Sequence, residues 1–248
     1  MNWSLSVIVP VYNEVKSIEP ALEVIDQYLR RGWHDYEILV VESGSTDGTA
    51  EACDRLAARH ATVRVIHQGA RRGFGSAMKV GYREARKALL WLVTVDLPFD
   101  LECIEQALPL LDSHDCVLSY RSADPRSVQR RIQSWVYNTL VRVALGLPMR
   151  HVNSAFKLIK RDVGQAVALD VRADGWFFDT ELLYRIRRRG VSWTEIPVPL
   201  LDRGTGASSV GRLTFLWLLR ELFTFAVRER LGLRTRTALS GGERRTRP

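Results

Sequence analysis

Cysteine is scarce in this chain: Cys53, Cys103 and Cys116 are the only three. An odd count without a Cys-x-x-Cys pair excludes a disulfide framework and a zinc knuckle, and it fits a reducing compartment. The five histidines show no metal-ligand spacing. Long apolar runs are missing too. No stretch of about 18 uncharged apolar residues occurs, so no spanning helix is expected. The opening Met1-Asn2-Trp3-Ser4 lacks the basic region of a signal peptide. These absences together lead us to expect a cytoplasmic protein.

Apolar residues make up 46% of 248 positions, which supplies a core for one large α/β domain with an appendage. The net charge of +8 points to an anionic partner. Its location narrows the choice, because residues 211–248 hold nine Arg against three Glu while the rest is nearly balanced. A nucleic-acid-binding domain spreads its basic footprint over one face, so nucleic acid is not expected.

The first half alternates between two patterns. Apolar, β-branched runs at 5–11, 36–42, 63–67, 89–96 and 116–120 read as strands. Segments of helical period lie between them, at 17–29, 49–58, 75–87 and 101–111. Such alternation, with strands apolar throughout, predicts a mostly parallel sheet flanked by helices. The second half is less regular. It predicts helices over 126–145 and 179–189 and strands over 155–159 and 191–198. A Gly/Ser-rich loop follows at 202–210. The apolar stretch 213–227, interrupted by Arg220-Glu221, suits either a core-packing helix or one lying in a membrane interface.

Ligands of such sheets bind beyond the carboxyl ends of the strands, so the residues there carry the functional argument. The first strand runs out in Pro10-Val11-Tyr12-Asn13-Glu14, the second in Glu42-Ser43-Gly44-Ser45-Thr46-Asp47, the fourth in Thr94-Val95-Asp96. Asp47 suits a helix cap. Glu42 is harder to explain by turn chemistry, since a charge at the end of a buried strand is costly unless paired.

These segments resemble family 2 glycosyltransferases, and dolichyl-phosphate mannose synthase-like members in particular. The resemblance runs from residue 5 to about residue 210. It includes Val41 to Thr49, the Arg72-Gly73-Phe74-Gly75 turn, Asn153-Ser154-Ala155-Phe156-Lys157-Leu158, Asp179-Thr180-Glu181 and Arg203-Gly204-Thr205-Gly206-Ala207-Ser208-Ser209. It implies a glycosyltransferase A-type fold, a nucleotide-sugar donor, and inverting transfer assisted by a divalent metal, magnesium or manganese. Carried over residue by residue, it places Pro10, Tyr12, Glu14, Glu42 and Gly73 at the donor. Asp96 would meet the donor and the metal, and Arg203, Ser208 and Ser209 would close over the diphosphate. Asp179 matches the family's base, with Glu181 as the alternative; an i,i+4 pair with Arg185 is the plainer role for Glu181. The acceptor expected is a lipid phosphate such as a polyprenyl phosphate, or another glycosyl acceptor.

The chain also departs from the family pattern. Thr94 stands where the Asp-x-Asp metal motif has its first Asp, Pro98 where Gln is frequent, and His151 where Asp is frequent. A second expectation therefore stands beside the enzyme: a non-catalytic nucleotide-sugar-binding or scaffold protein. The domain organisation expected is a transferase domain over 1–210, an amphipathic interfacial helix over 211–233 and a disordered basic tail over 234–248. The helix would give peripheral contact with an anionic membrane at the cytoplasmic face.

Overall fold

The fold was obtained as a computed structural model that describes residues 3–201 and 212–231. Strand β1 (Leu5–Val11) shows how the pattern becomes structure. Leu5, Val7, Val9 and Val11 enter one apolar cluster, with Ile18, Leu22, Ile25, Leu29, Cys53 and Ile104. Ile8 enters a second cluster with Leu39, Val41, Met78, Leu90 and Phe178. The two-residue period of a strand thus divides β1 between the two faces of the sheet. Ser6 and Glu37 are also buried, and they bond to each other at 2.7 Å. Arg64 reaches the same Glu37 carboxylate at 3.0 Å, which offsets the cost of burying its charge.

The first face is covered by α1 (Ile18–Gly32), α2 (Thr49–Arg59) and α4 (Cys103–Ala107). The second face is covered by α3 (Phe74–Glu84), α5 (Val128–Leu145), α6 (Arg161–Ala168), α7 (Phe178–Arg188) and α8 (Arg212–Arg230). Helix α1 buries Ile18, Ala21, Leu22, Ile25 and Leu29, an i, i+3, i+4, i+7 stripe.

The sheet comprises β1, β2 (Tyr36–Glu42), β3 (Val63–His67), β4 (Leu89–Leu92), β5 (Cys116–Arg121), β6 (Lys157–Lys160) and β7 (Trp193–Val198). Their order is β3-β2-β1-β4-β6-β5-β7. All neighbours are parallel except β6, which is antiparallel to β4 and to β5. Two reversals cancel, so β5 and β7 run in the direction of β1, β2 and β4. The carboxyl ends of these strands and the amino end of β6 therefore share one edge.

Three features differ from the sequence expectation. The helix expected over 101–111 is α-helical only at Cys103–Ala107 and tightens to a 3-10 helix over Leu108–Asp112. Strand β4 ends at Leu92 rather than 96, because a turn bonded from Leu97 N–H to Thr94 carbonyl (2.9 Å) bends the chain away. Helix α6 was not anticipated, since its eight residues carry only a short apolar stripe.

Helix α8 divides its apolar residues between two environments. Leu218, Leu222 and Ala226 are buried, and Phe225 meets Phe177 and Tyr184 with ring centroids 5.3 and 5.1 Å apart. Glu229 accepts from Tyr184 Oη and pairs with Arg185. Leu216, Phe223, Val227 and Leu231 face outward. Among the described residues, no helix is long and apolar enough to cross a membrane.

Candidate active site

Three loops at the shared edge are stitched together by short polar side chains. Asn13 N–H donates to Ser45 Oγ (2.9 Å), and Thr46 N–H donates to Asn13 Oδ1 (2.9 Å). Glu14 N–H donates to Thr49 Oγ1, and Val15 N–H to Asp47 Oδ2. Asp47 also accepts from Thr49 N–H in a turn leading into α2, but the N-cap is Gly48, so Asp47 is not the side-chain cap its position suggested. Asn13 adopts φ +55°, a conformation that asparagine tolerates better than most residues. Pro10 and Tyr12 are half-buried beside these loops, and the Arg71 guanidinium lies 4.5 Å above the Tyr12 ring.

Glu42 is 2% exposed, and its charge is compensated from two sides. Ser45 N–H donates to Oε1 (2.5 Å), and the His67 ring lies 3.1 Å from Oε2. Burial alone would raise its pKa, but these hydrogen bonds outweigh it and hold the carboxyl below its ordinary range. The pairing answers the cost that the sequence flagged.

Gly73 shows why the turn before α3 requires glycine. Its φ is +99°, and an added Cβ would strike the Asp174 carbonyl oxygen. The same oxygen accepts from Ser76 N–H (3.1 Å). The loop carrying Asp174 is in turn held by Glu181. Its Oε2 accepts from Arg172 N–H (3.0 Å) and Ala173 N–H (2.9 Å), while Oε1 pairs with Arg185 at 2.9 Å. The geometry gives Glu181 the work of an anchor, and the Arg185 pair is the one its spacing indicated.

The turn after β4 presents one carboxylate and one hydroxyl. Asp96 is exposed, and Thr94 Oγ1 donates to its Oδ1. Asp100 accepts from Glu102 N–H and so caps the segment leading to α4. Among the described residues, no group of three or more His, Cys, Asp and Glu side chains is placed to hold a metal ion. Magnesium, however, is commonly held by one or two carboxylates together with substrate phosphates. Asp96 fits that minimal arrangement. Arg203, Ser208 and Ser209 lie outside the described residues.

Asp179 stands in the first turn of α7, with a side chain 14% exposed. Lys157, the first residue of β6 and 2% exposed, brings Nζ to 3.1 Å from Asp179 Oδ1. Burial raises the pKa of Asp179, and the charges of Lys157 and Arg121 partly restrain that rise. Because β6 lies between β4 and β5, this pair sits between the Asp96 turn and the end of β5.

Beyond it, the end of β5 borders a cavity of about 610 Å³ that sequence reading missed. Arg121, Arg131, Arg142 and Arg150 line it, with Asp124 as the opposing charge. Arg121 donates to Ser134 Oγ and to the Asn153 carbonyl, and burial pushes its pKa down to about 10. His151 accepts the Arg121 backbone N–H at Nδ1 (3.0 Å). Burial and the neighbouring Arg121 and Arg126 push His151 down to about 4, so it is a neutral acceptor at pH 7. The mouth carries Val128, Ile132 and Trp135, all exposed on one stripe of α5. Arg131 and Arg142 share a face of α5, and the fold brings Arg121 and Arg150 to them from a strand end and a loop. The visible signal was the row of apolar residues at helical spacing on α5.

Known proteins resemble this chain in sequence and in fold. Glycosyltransferase AglD of Haloferax volcanii is 32% identical over 210 residues, which cover 81% of this chain and 33% of that protein. The chain thus spans a third of that relative's length. Undecaprenyl-phosphate mannosyltransferase of Micrococcus luteus is 26% identical over 212 residues, covering 82% of this chain and 86% of that one. Among solved structures, the mannosyltransferase PcManGT of Pyrobaculum calidifontis, in complex with GDP-Man and Mn2+, superposes with a TM-score of 0.63 at 24% identity. That match covers 90% of this chain and 64% of the other. The architecture is the glycosyltransferase A-type fold. The family described as "Glycosyl transferase family 2" matches residues 6–167, which contain the stitched edge loops, the Asp96 turn and Lys157. The chain belongs to that family.

Proposed function

We propose that the protein transfers a sugar, with inversion, from a nucleoside-diphosphate sugar to a polyprenyl phosphate. The observation that carries the acceptor half is the arginine-lined cavity beneath the apolar stripe of α5. A cationic pocket with an apolar mouth matches a phosphate head on a hydrocarbon chain. Support for the donor half comes from the stitched loops beyond β1, β2 and β4 and from the family. The Haloferax and Micrococcus relatives are both transferases, and the second acts on undecaprenyl phosphate by its name.

In this reading Pro10, Tyr12, Glu14 and Glu42 receive the nucleoside, and Glu42 accepts a base N–H. Gly73 lets the backbone approach the donor. Arg203, Ser208 and Ser209 are the residues that the family resemblance assigns to the diphosphate. A divalent cation held by Asp96 and the diphosphate would neutralise charge developing on the leaving group. The acceptor oxygen attacks the anomeric carbon from the face opposite that group. The new carbon–oxygen bond forms as the bond to the diphosphate breaks, and the electron pair leaves with the diphosphate. Asp179 is the base for an acceptor that arrives protonated. A phosphate monoester has its second pKa near 6 and brings its own charge at pH 7. For that acceptor Asp179 with Lys157 orients rather than deprotonates. The outward stripes of α5 and α8 rest on an anionic membrane, at the cytoplasmic face.

The test is transfer of labelled sugar from UDP- and GDP-sugars to a polyprenyl phosphate in detergent, with magnesium or manganese. Label extractable into organic solvent is expected. The second reading, a nucleotide-sugar-binding protein without turnover, is favoured by Thr94 in the metal motif. Donor binding with neither transfer nor hydrolysis would establish it.

A further inference from the structure

His67 closes β3 directly opposite Glu42 of β2 in the sheet register. Each of its ring nitrogens meets a carboxylate. Nδ1 lies 3.1 Å from Glu42 Oε2, and Nε2 lies 2.9 Å from Asp54 Oδ1 of α2. A neutral imidazole has a single N–H and would turn a lone pair toward one of them; only the imidazolium donates to both. In accord with this, the hydrogen bonds to Asp54 and Glu42 raise the His67 pKa. Among the described residues, these two carboxylates are the charged groups that bond to the ring. The neighbouring Cys53 thiol, pushed up to about 12 by burial, stays neutral.

The two carboxylates are not equivalent. The side chain of Asp54 is 65% exposed and can turn into water, whereas that of Glu42 is 2% exposed and cannot. When the ring loses a proton, the remaining one belongs on Nδ1, facing Glu42. With Ser45 N–H holding the other oxygen, Glu42 is then fixed at both ends in either state of the histidine. We propose that His67 is a positioning residue for the donor: its Nδ1–H orients the Glu42 carboxylate that receives the nucleobase. This deepens the donor reading above and rests on it. Neither the Asp-x-Asp region nor the glycine turn pointed to His67, because its role arises from the β2–β3 register.

Calorimetric titration of the full chain with UDP and GDP tests the proposal on three variants. His67→Asn keeps an N–H donor near the Nδ1 position and should bind nucleotide within about twofold of wild type. His67→Gln moves its donor outward toward Asp54, and His67→Leu has none. Both should bind about tenfold more weakly, the size of a lost hydrogen bond to a charged group. Asp54→Asn should leave affinity within about twofold while the His67 ring, followed by NMR, titrates at lower pH. Equal affinity in the Asn and Gln variants would overturn the proposal, and so would unweakened binding by both Gln and Leu variants. Glu42→Ala separates the two levels of argument. If it binds nucleotide normally, the donor reading itself fails; if it binds weakly while His67→Gln binds normally, only the role of His67 fails.

Discussion

Lys157 and Asp179 form an ion pair of 3.1 Å at the sheet edge, between the Asp96 turn and the arginine-lined cavity. Neither partner is well exposed, so each limits the cost of burying the other. The pair gives a pH prediction. Burial raises Asp179, and Lys157 restrains the rise. A carboxylate with a raised pKa takes up its proton earlier as pH falls. Removing Lys157 leaves only Arg121 to oppose burial, so the acid limb of kcat/KM in Lys157→Met should move to higher pH, and Lys157→Arg should largely restore it. An acid limb unchanged in the Met variant would separate the pair from turnover.

The size of the Asp179→Asn effect identifies the acceptor. A general base contributes roughly 10²–10⁴ in rate. That loss is expected with a hydroxyl acceptor at pH 7, and a much smaller one with a polyprenyl phosphate. Parallel rates with both acceptor types, with donor affinity measured separately, check this. A full loss with the phosphate acceptor would show that Asp179 does more than orient.

Thr94 beside Asp96 makes the metal requirement testable in both directions. Asp96→Asn should abolish metal-stimulated turnover, because a neutral amide is a poor ligand for a hard cation. Thr94→Asp places a second carboxylate where a hydroxyl now donates to Asp96. Like charges so close repel, so this variant should melt lower without metal and gain more from manganese than wild type does. Thermal melts with and without manganese read the difference directly. Equal melting shifts in wild type and Thr94→Asp would argue against a cation at this turn.

How far the sequence could be read depended on the kind of signal. Strand β1 and helix α1 were legible because their apolar periods are long and mark one face each. The loop after β2 was legible because Glu42 breaks an apolar run where a charge needs a reason, and Asp96 was legible only through the family resemblance. The reversed direction of β6 was not legible, since four residues of Lys-Leu-Ile-Lys look alike in either orientation. The charged lining of the cavity was only partly legible. Arg131 and Arg142 share a face of α5, but Arg121 and Arg150 lie on a strand and a loop, and no local pattern joins these to the helix. Glu181 lay two residues from Asp179, and a helix turns such neighbours to different sides. The sequence therefore separated the two without showing that Glu181 holds the loop behind Gly73.

The last prediction concerns the outward face. On α5, Val128, Ile132, Trp135 and Val143 recur at helical spacing, with Trp135 69% and Val143 74% exposed. Helix α8 packs against α5 and exposes Leu216, Phe223 and Val227. Scattered exposed apolar residues need no explanation, but stripes on two neighbouring helices do. Arg131 and Arg142 flank the α5 stripe, and each basic residue near an anionic surface contributes about 1 kcal/mol. Inserted side chains and screened charges respond differently to salt, because the screening length falls to about 3 Å at 1 M. Wild type should sediment with anionic vesicles at low salt and be retained in part at high salt. The double variant Ile132→Glu/Trp135→Glu keeps every arginine, so it should still bind weakly at low salt but release completely at high salt. Its rate with acceptor embedded in vesicles should fall more than its rate with acceptor in detergent, where no surface must be engaged. If wild type remains in the supernatant at low salt, the face does not serve a membrane, and an acceptor in aqueous solution becomes the better match to the cavity.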